Sequence, residues 1–192
     1  MLEYLKEKVK SCVLCEADLP LGPRPVVQLS NESKILIAGQ APGLKVHQTG
    51  VPFNDASGDR LRHWLDVNKT DFYDDTKFAI LPMGFCYPGK GKSGDLPPRA
   101  ECAITWREQL LAQLKNIELT IVIGQYAHAY HLPNASKKLT ENVKNWQTFW
   151  PNAIPLPHPS PRNNIWLKRN DWFEVEVLPP LKEKVQKLLS KK

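Results

Sequence analysis

Between Leu156 and Asn163 the chain reads LPHPSPRN, three prolines set around one histidine and one serine. Proline fixes φ and removes a backbone donor, so this loop has little freedom and the direction of the His158 imidazole is set by it. A lone histidine is more often packed or solvated; one held by prolines is suited to hydrogen-bond at a single point in space. Ser160 and Arg162 beside it suit a phosphate group, a hydroxyl and backbone amides for one oxygen and a guanidinium for another. A second segment, Gly39 to Phe53, reads GQAPGLKVHQTGVPF, with three glycines and two prolines. It permits close backbone approach to a ligand, yet it is neither a phosphate-binding loop ending in GK[ST] nor a dinucleotide GxGxxG. Four cysteines complete the inventory: Cys12 and Cys15 form a CxxC, and Cys86 and Cys102 bound the stretch CYPGKGKSGDLPPRAEC. In an intracellular chain such spacings favour metal or cluster ligation over disulfides, with a [4Fe–4S] cluster, zinc and free thiols all open.

These residues need elements to position them. Lys34–Gly39, Phe78–Met83, Leu119–Gly124 and Ala153–Leu156 are short apolar runs, each followed by a Gly- or Pro-containing loop. Such runs fit strands buried on both faces, as in a parallel sheet covered by helices. Helical spacing recurs in Leu2–Cys15, Arg60–Val67, Glu101–Leu114 and Tyr126–Leu132. The expected fold is α/β, a three-layer α/β/α sandwich around a central, mainly parallel sheet of about four strands, as one domain over residues 1–192. In such sheets ligands collect at the carboxyl ends of the strands, and the Gly39, Gly84, Gly124 and Pro157 loops all fall there.

With 42% hydrophobic and 24% charged residues, a chain of 192 is expected to bury a sizeable core, which excludes a disordered tail protein. Lys and Arg number 26 against 20 Asp and Glu, a net charge of +6 that biases the partner towards phosphate-bearing molecules. Lys6, Lys8, Lys10, Lys182, Lys184, Lys187, Lys191 and Lys192 read as solvated helix faces. Lys90, Lys92, Arg99, Arg162 and Lys168 lie near loops and are better placed to touch a ligand. No apolar run approaches the roughly 20 residues of a membrane span, and MLEYLKEKVK lacks the pattern of a signal peptide. A cytoplasmic monomer without membrane contact is expected.

GQAPG and TGVPF after the first strand, with HPSPRN after the last, resemble the paired motifs of the uracil-DNA glycosylase superfamily, whose members flip a base from DNA and cut its N-glycosidic bond. The cysteine layout is similar to that of the iron–sulfur glycosylases of the family four and five type. The resemblance implies a structural [4Fe–4S] cluster on Cys12, Cys15, Cys86 and Cys102, with zinc or no metal as alternatives. It implies DNA, single- or double-stranded, as partner. Phe53 would stack on the flipped base, and His158 would hydrogen-bond the departing base as charge develops on it. Ser160 and Arg162 would lie against the DNA backbone, with Lys90 and Lys92 as a second phosphate contact.

Two positions depart from the family pattern. Ala41 stands where the best-known members carry a carboxylate or amide that positions water, leaving Gln40, His47 and Asp55 as candidates to orient water or stabilise the sugar cation. Pro82 occupies the strand end at which many members carry a base-reading asparagine. Base contacts are therefore expected from Gly39, Ala41 and the backbone around Gly84 and Phe85, or from Gln125. The function implied is hydrolysis of uracil or a related deaminated base from DNA by a monofunctional glycosylase. A non-catalytic binder of DNA or damaged bases, and a nucleoside hydrolase-like enzyme, are the alternatives.

Overall fold

The computed structural model describes residues 1–190; Lys191 and Lys192 lie outside the described residues. Four strands, β1 (Ile35–Ala38), β2 (Phe78–Ile80), β3 (Leu119–Ile123) and β4 (Ala153–Leu156), form one sheet in the order β2-β1-β3-β4. Every pairing is parallel, with Ile35 opposite Phe78 and Leu119, and Ile121 opposite Ile154.

Alternation along the strands divides the core into two faces. Ile35, Ile37, Ile80, Ile121 and Leu156 point to one side, where they meet Leu61 and Leu65 of the helix Ala56–Leu65 and Leu181 and Val185 of the helix Leu178–Ser190. Leu36, Ala79 and Leu81 point to the other, against Leu2, Leu5 and Val9 of the helix Leu2–Lys10 and against Leu110. Ala38 and Val122 on that same side pack on Ala127 of the helix Gln125–His131. The result is the expected α/β/α arrangement, with all four strands parallel.

The element ends differ from the sequence expectation for local reasons. The first helix stops at Lys10 and not at Cys15, because the chain turns out of it to bury Cys15 with Leu19 and Cys86. β2 stops at Ile80 and not at Met83. Pro82 has no N–H to donate to a ladder, and the carbonyls of Leu81 and Pro82 are taken by Arg107 Nη1 at 3.0 and 2.6 Å. The helix expected from Arg60 begins at Ala56, since the Asp55 carboxylate caps it by accepting from the Gly58 N–H at 2.9 Å. The expected helix Glu101–Leu114 spans Ala100–Cys102, a wide-turned segment Ala103–Arg107 and Glu108–Leu111.

The connection after β1 leads to β2 at one edge, whereas that after β3 leads to β4 at the other. Loops diverging from adjacent strands leave a crevice between them, so a ligand site belongs at the carboxyl ends of β1 and β3. Those ends are tied down from behind. His128 Nε2 donates to the carbonyls of Val122 and Leu156, each at 3.1 Å, while its Nδ1 accepts from Asn142 Nδ2 at 3.3 Å. Only a neutral ring makes this set of bonds. Burial holds the His128 pKa down at about 4.

A histidine that stays neutral when folded but charges near pH 6.5 when unfolded contributes stability that is complete above pH 6.5. That stability is lost as pH falls towards the folded value, since the unfolded chain then binds the extra proton. Urea denaturation at a series of pH values is expected to reveal a loss of about 3 kcal/mol between pH 6.5 and pH 4 from this residue. His128→Gln should flatten that slope.

Candidate active site

A cleft of about 680 Å³ opens at the carboxyl ends of the strands, lined by Gln40, Phe53, Asp55, Asp95, Gln125 and His158 among others. Phe53 is held there in a costly conformation. Its φ is 52°, a left-handed backbone that bulky residues rarely adopt unless the surroundings impose it. The surroundings are specific: Arg62 Nη1 donates to the Phe53 carbonyl at 3.3 Å, and Gly58 leaves that carbonyl its place, since a Cβ there would lie 1.7 Å from the oxygen. The ring rests edge-on against Phe72, with centroids 6.1 Å apart, and one edge lies 3.5 Å from where a Cβ on Gly39 would stand.

His158 is fixed by the loop that carries it. Its Nδ1 accepts from the Ser160 backbone N–H at 3.2 Å. The neutral ring therefore carries its proton on Nε2, which is left as a donor. Asn163 Nδ2 donates to the His158 carbonyl at 2.7 Å, and Arg60 donates to the Ser160 carbonyl at 3.0 Å and to Asn164 Oδ1 at 2.7 Å. The helix Ala56–Leu65 thus braces both Phe53 and the histidine loop. Burial lowers the His158 pKa from the ordinary histidine value, and the negative charges of Asp55 and Asp95 act against that shift.

Asp55 has two roles to fill. One oxygen caps the helix at Gly58, while Oδ2 lies 4.0 Å from the point where a Cβ on Gly43 would stand; Asp95 Oδ2 lies 3.7 Å from the same point. Asp95 was not legible as a site residue. It is brought in by a hairpin in which Lys90 pairs with Asp95, Gly91 N–H donates to the Gly94 carbonyl at 2.6 Å and Leu96 N–H to the Gly89 carbonyl at 2.8 Å. Lys90 and Lys92 stand exposed on that hairpin, outside the cleft lining. Arg162 reaches across to it, its Nη1 2.7 Å from a Cβ position on Gly94.

Three sequence candidates fall elsewhere. His47 does not line the cleft. On the helix Leu44–Thr49 its neighbour Val46 takes the cleft side, and the His47 ring turns to Tyr87, with centroids 6.1 Å apart. Gly84 and Phe85 lie behind the cleft wall and are not part of its lining. Gly84 is covered by Pro98, 3.0 Å from its Cβ position, and its N–H bonds the Gln40 carbonyl at 2.8 Å. Phe85 donates its N–H to Cys102 Sγ at 3.4 Å and accepts from the Val26 N–H at 2.8 Å. Gly39, Ala41, Ser160 and Arg162 do line the cleft.

The four cysteines are free and close enough to influence one another's ionisation. Two sulfurs accept an N–H, Cys12 from the Trp106 indole at 3.3 Å and Cys102 from the Phe85 backbone at 3.4 Å, while the Arg99 guanidinium and the Arg24 backbone act against the rise of the Cys15 and Cys86 thiols. Burial pushes the Cys86 and Cys102 thiols up to about 11. Among the described residues no three His, Cys, Asp or Glu side chains converge to hold a single metal ion. Among them also no helix is long and apolar enough to cross a membrane.

Residues 27–182 match the uracil DNA glycosylase superfamily as a sequence family. The chain is 24% identical over 168 residues to a type-4 uracil-DNA glycosylase of Thermotoga maritima, an alignment covering 83% of this chain and 82% of that protein. It is also similar to a solution NMR structure of a candidate uracil DNA glycosylase from Methanosarcina acetivorans, at 16% identity, 84% coverage of this chain, 97% of the other and a TM-score of 0.45.

Nitrogen-15 NMR of the histidine side chains is expected to find the His158 ring in its Nε2–H form at neutral pH, titrating below the ordinary histidine value. Removing an opposing negative charge with Asp95→Asn should lower that pKa further. An Nδ1–H ring, or a pKa unmoved by the substitution, would contradict the geometry.

Proposed function

The chain belongs to the uracil DNA glycosylase superfamily, and from that premise we propose that it is a monofunctional DNA glycosylase hydrolysing the N-glycosidic bond of uracil, or a related deaminated base, flipped out of DNA. The observation that carries the reading is the hydrogen-bonding state of His158: with Nδ1 occupied by the Ser160 N–H, Nε2–H is the donor left beside a cleft that also holds Phe53.

In this reading the extruded base stacks on the Phe53 ring, a contact worth roughly 1–3 kcal/mol. As the bond between C1′ and the base nitrogen breaks, its electron pair moves into the base and negative charge grows on a ring carbonyl oxygen. His158 Nε2–H donates to that oxygen and stabilises the charge as it forms. The sugar meanwhile becomes cationic. Asp55 Oδ2 and Asp95 Oδ2, both near Gly43, supply the negative charge missing at Ala41. They favour the sugar cation and orient a water whose oxygen bonds to C1′ while its proton passes to a carboxylate or to solvent. The base leaves as an anion that solvent protonates. Ser160 and Arg162, with Lys90 and Lys92 on the hairpin that Arg162 touches, hold the DNA backbone.

The residues around the four cysteines fit a cluster. N–H donors at Cys12 and Cys102, with the Arg99 and Arg24 groups beside Cys15 and Cys86, suit thiolates bound to metal, and a bound metal would hold Cys86 and Cys102 ionised against the burial that raises the free thiols. A [4Fe–4S] cluster spreads its four thiolates over four irons, so it does not require the convergence on one point that zinc does. Cys12, Cys15, Cys86 and Cys102 would hold it, and it would supply a structural tie between the first helix and the loop after β2.

Incision of uracil-containing single- and double-stranded oligonucleotides, with hot alkali to reveal abasic sites, tests the function. Cleavage is expected, with His158→Ala slower by about a hundredfold or more and DNA binding falling steeply between about 50 and 200 mM salt. Abasic sites absent from every uracil substrate, with folded protein, would move the reading to a non-catalytic DNA binder. Protein purified without oxygen is expected to contain iron and absorb visible light, and Cys86→Ser to lose both; colourless, iron-free protein would remove the cluster.

A further inference from the structure

We propose that the side-chain carboxamide of Gln40 reads the edge of the flipped base, and that the substrate class is bases presenting an N–H beside a C=O; this rests on the glycosylase reading above. Base reading needs hydrogen-bonding groups that face the cleft and are not already used. The backbone at the strand ends offers few. Leu81 N–H bonds the Ile37 carbonyl at 3.0 Å, Met83 N–H the Gly39 carbonyl at 2.9 Å and Gly84 N–H the Gln40 carbonyl at 2.8 Å. The Leu81 and Pro82 carbonyls belong to Arg107, and Pro82 has no N–H.

Some side chains of the lining are also engaged. Asn163 is committed to the His158 carbonyl, and the Ser160 hydroxyl oxygen accepts from the Arg162 N–H at 3.3 Å. Gln40 is different. It is half-buried and lines the cleft, yet its carboxamide has no hydrogen-bond partner among the described residues. The side chain crosses from the end of β1 to the start of the loop after β3, where Gly124 at φ 84° makes room: a Cβ there would come within 2.7 Å of Gln40 Cδ. Phe53 stands over Gly39, the residue immediately before. The Phe53 ring and an amide edge therefore border one space at the crevice between β1 and β3.

A carboxamide offers an acceptor and a donor side by side. It can accept from the N3–H of uracil and donate to its C4 carbonyl, or meet the equivalent N1–H and C6 carbonyl of hypoxanthine or xanthine. A site built to pair with such an edge rejects a base lacking it, because the amide is then left unsatisfied.

The test compares kcat/KM on oligonucleotides carrying uracil or pyrimidin-2-one, which lacks both the N3–H and the C4 carbonyl. Comparing the preference between proteins cancels the intrinsic difference in leaving-group reactivity. The wild type is expected to favour uracil, and Gln40→Ala to lose roughly tenfold to a hundredfold of that preference through slower uracil cleavage alone. Gly124→Ala, which pushes on Gln40, should lose the same preference, with thermal melting used to confirm folding. A preference unchanged in a folded Gln40→Ala protein that still cleaves uracil overturns the assignment to Gln40 and leaves the glycosylase reading intact. A wild type that cleaves no base overturns both.

Discussion

The Phe53 carbonyl lies where only glycine can stand at position 58, a Cβ there falling 1.7 Å from the oxygen, and the contact locks a strained loop onto the first turn of a helix. From that lock the rest follows. The left-handed φ of 52° turns the ring towards Gly39. The Asp55 cap fixes where the helix Ala56–Leu65 begins, and Arg60, one turn along, braces the Ser160 carbonyl. One helix end thus sets the relative positions of an aromatic ring, a carboxylate and the histidine loop. A left-handed non-glycine residue costs about 1–3 kcal/mol. Arg62 offsets part of this, donating to the Phe53 carbonyl while it pairs with Asp59 at 2.7 Å.

Behind the cleft the strand ends are held by side chains that donate to carbonyls. Arg107 does this for Leu81 and Pro82, and His128 for Val122 and Leu156. Among the described residues neither is paired with a carboxylate. Arg107 instead bonds His131 and lies over the Tyr130 ring at 5.1 Å, and burial lowers its pKa to about 10. The arrangement satisfies backbone acceptors at the strand ends. Rigid strand ends with their own polar groups satisfied leave recognition to side chains placed on top of them.

The strands were legible because each is a short apolar run that both faces of the sheet must bury, and their parallel order followed from the helices between them. The place of His158 and Arg162 at the cleft was legible because Pro and short polar residues mark a loop at a strand end, whereas Phe53 was singled out by the family resemblance and Asp55 by the carboxylate missing at Ala41. What failed was direction. His47 and Val46 are adjacent in sequence, and a helical rotation of about 100° decides which meets the cleft. Gly84 and Phe85 stand in the right loop, but Gly84 is covered by Pro98, the Phe85 N–H is taken by Cys102, and neither lines the cleft. Asp95 and Arg60 gave no signal, since one depends on a hairpin and the other on a contact 100 residues away in sequence.

The hairpin is also what joins the cysteines to the cleft. Cys86 and Cys102 bound a single loop that contains Lys90, Asp95 and the Pro98 that covers Gly84. A flexible loop of that length samples many positions unless its ends are fixed. Under the proposed ligation, both ends are fixed to the same group as Cys12 and Cys15, and the hairpin inherits that anchorage. Asp95 then lies near Asp55 across Gly43, and Gly94 meets Arg162, at positions that depend on that anchorage. A structural cluster would therefore act on catalysis without touching the substrate, by limiting where one carboxylate and one phosphate-binding surface can be.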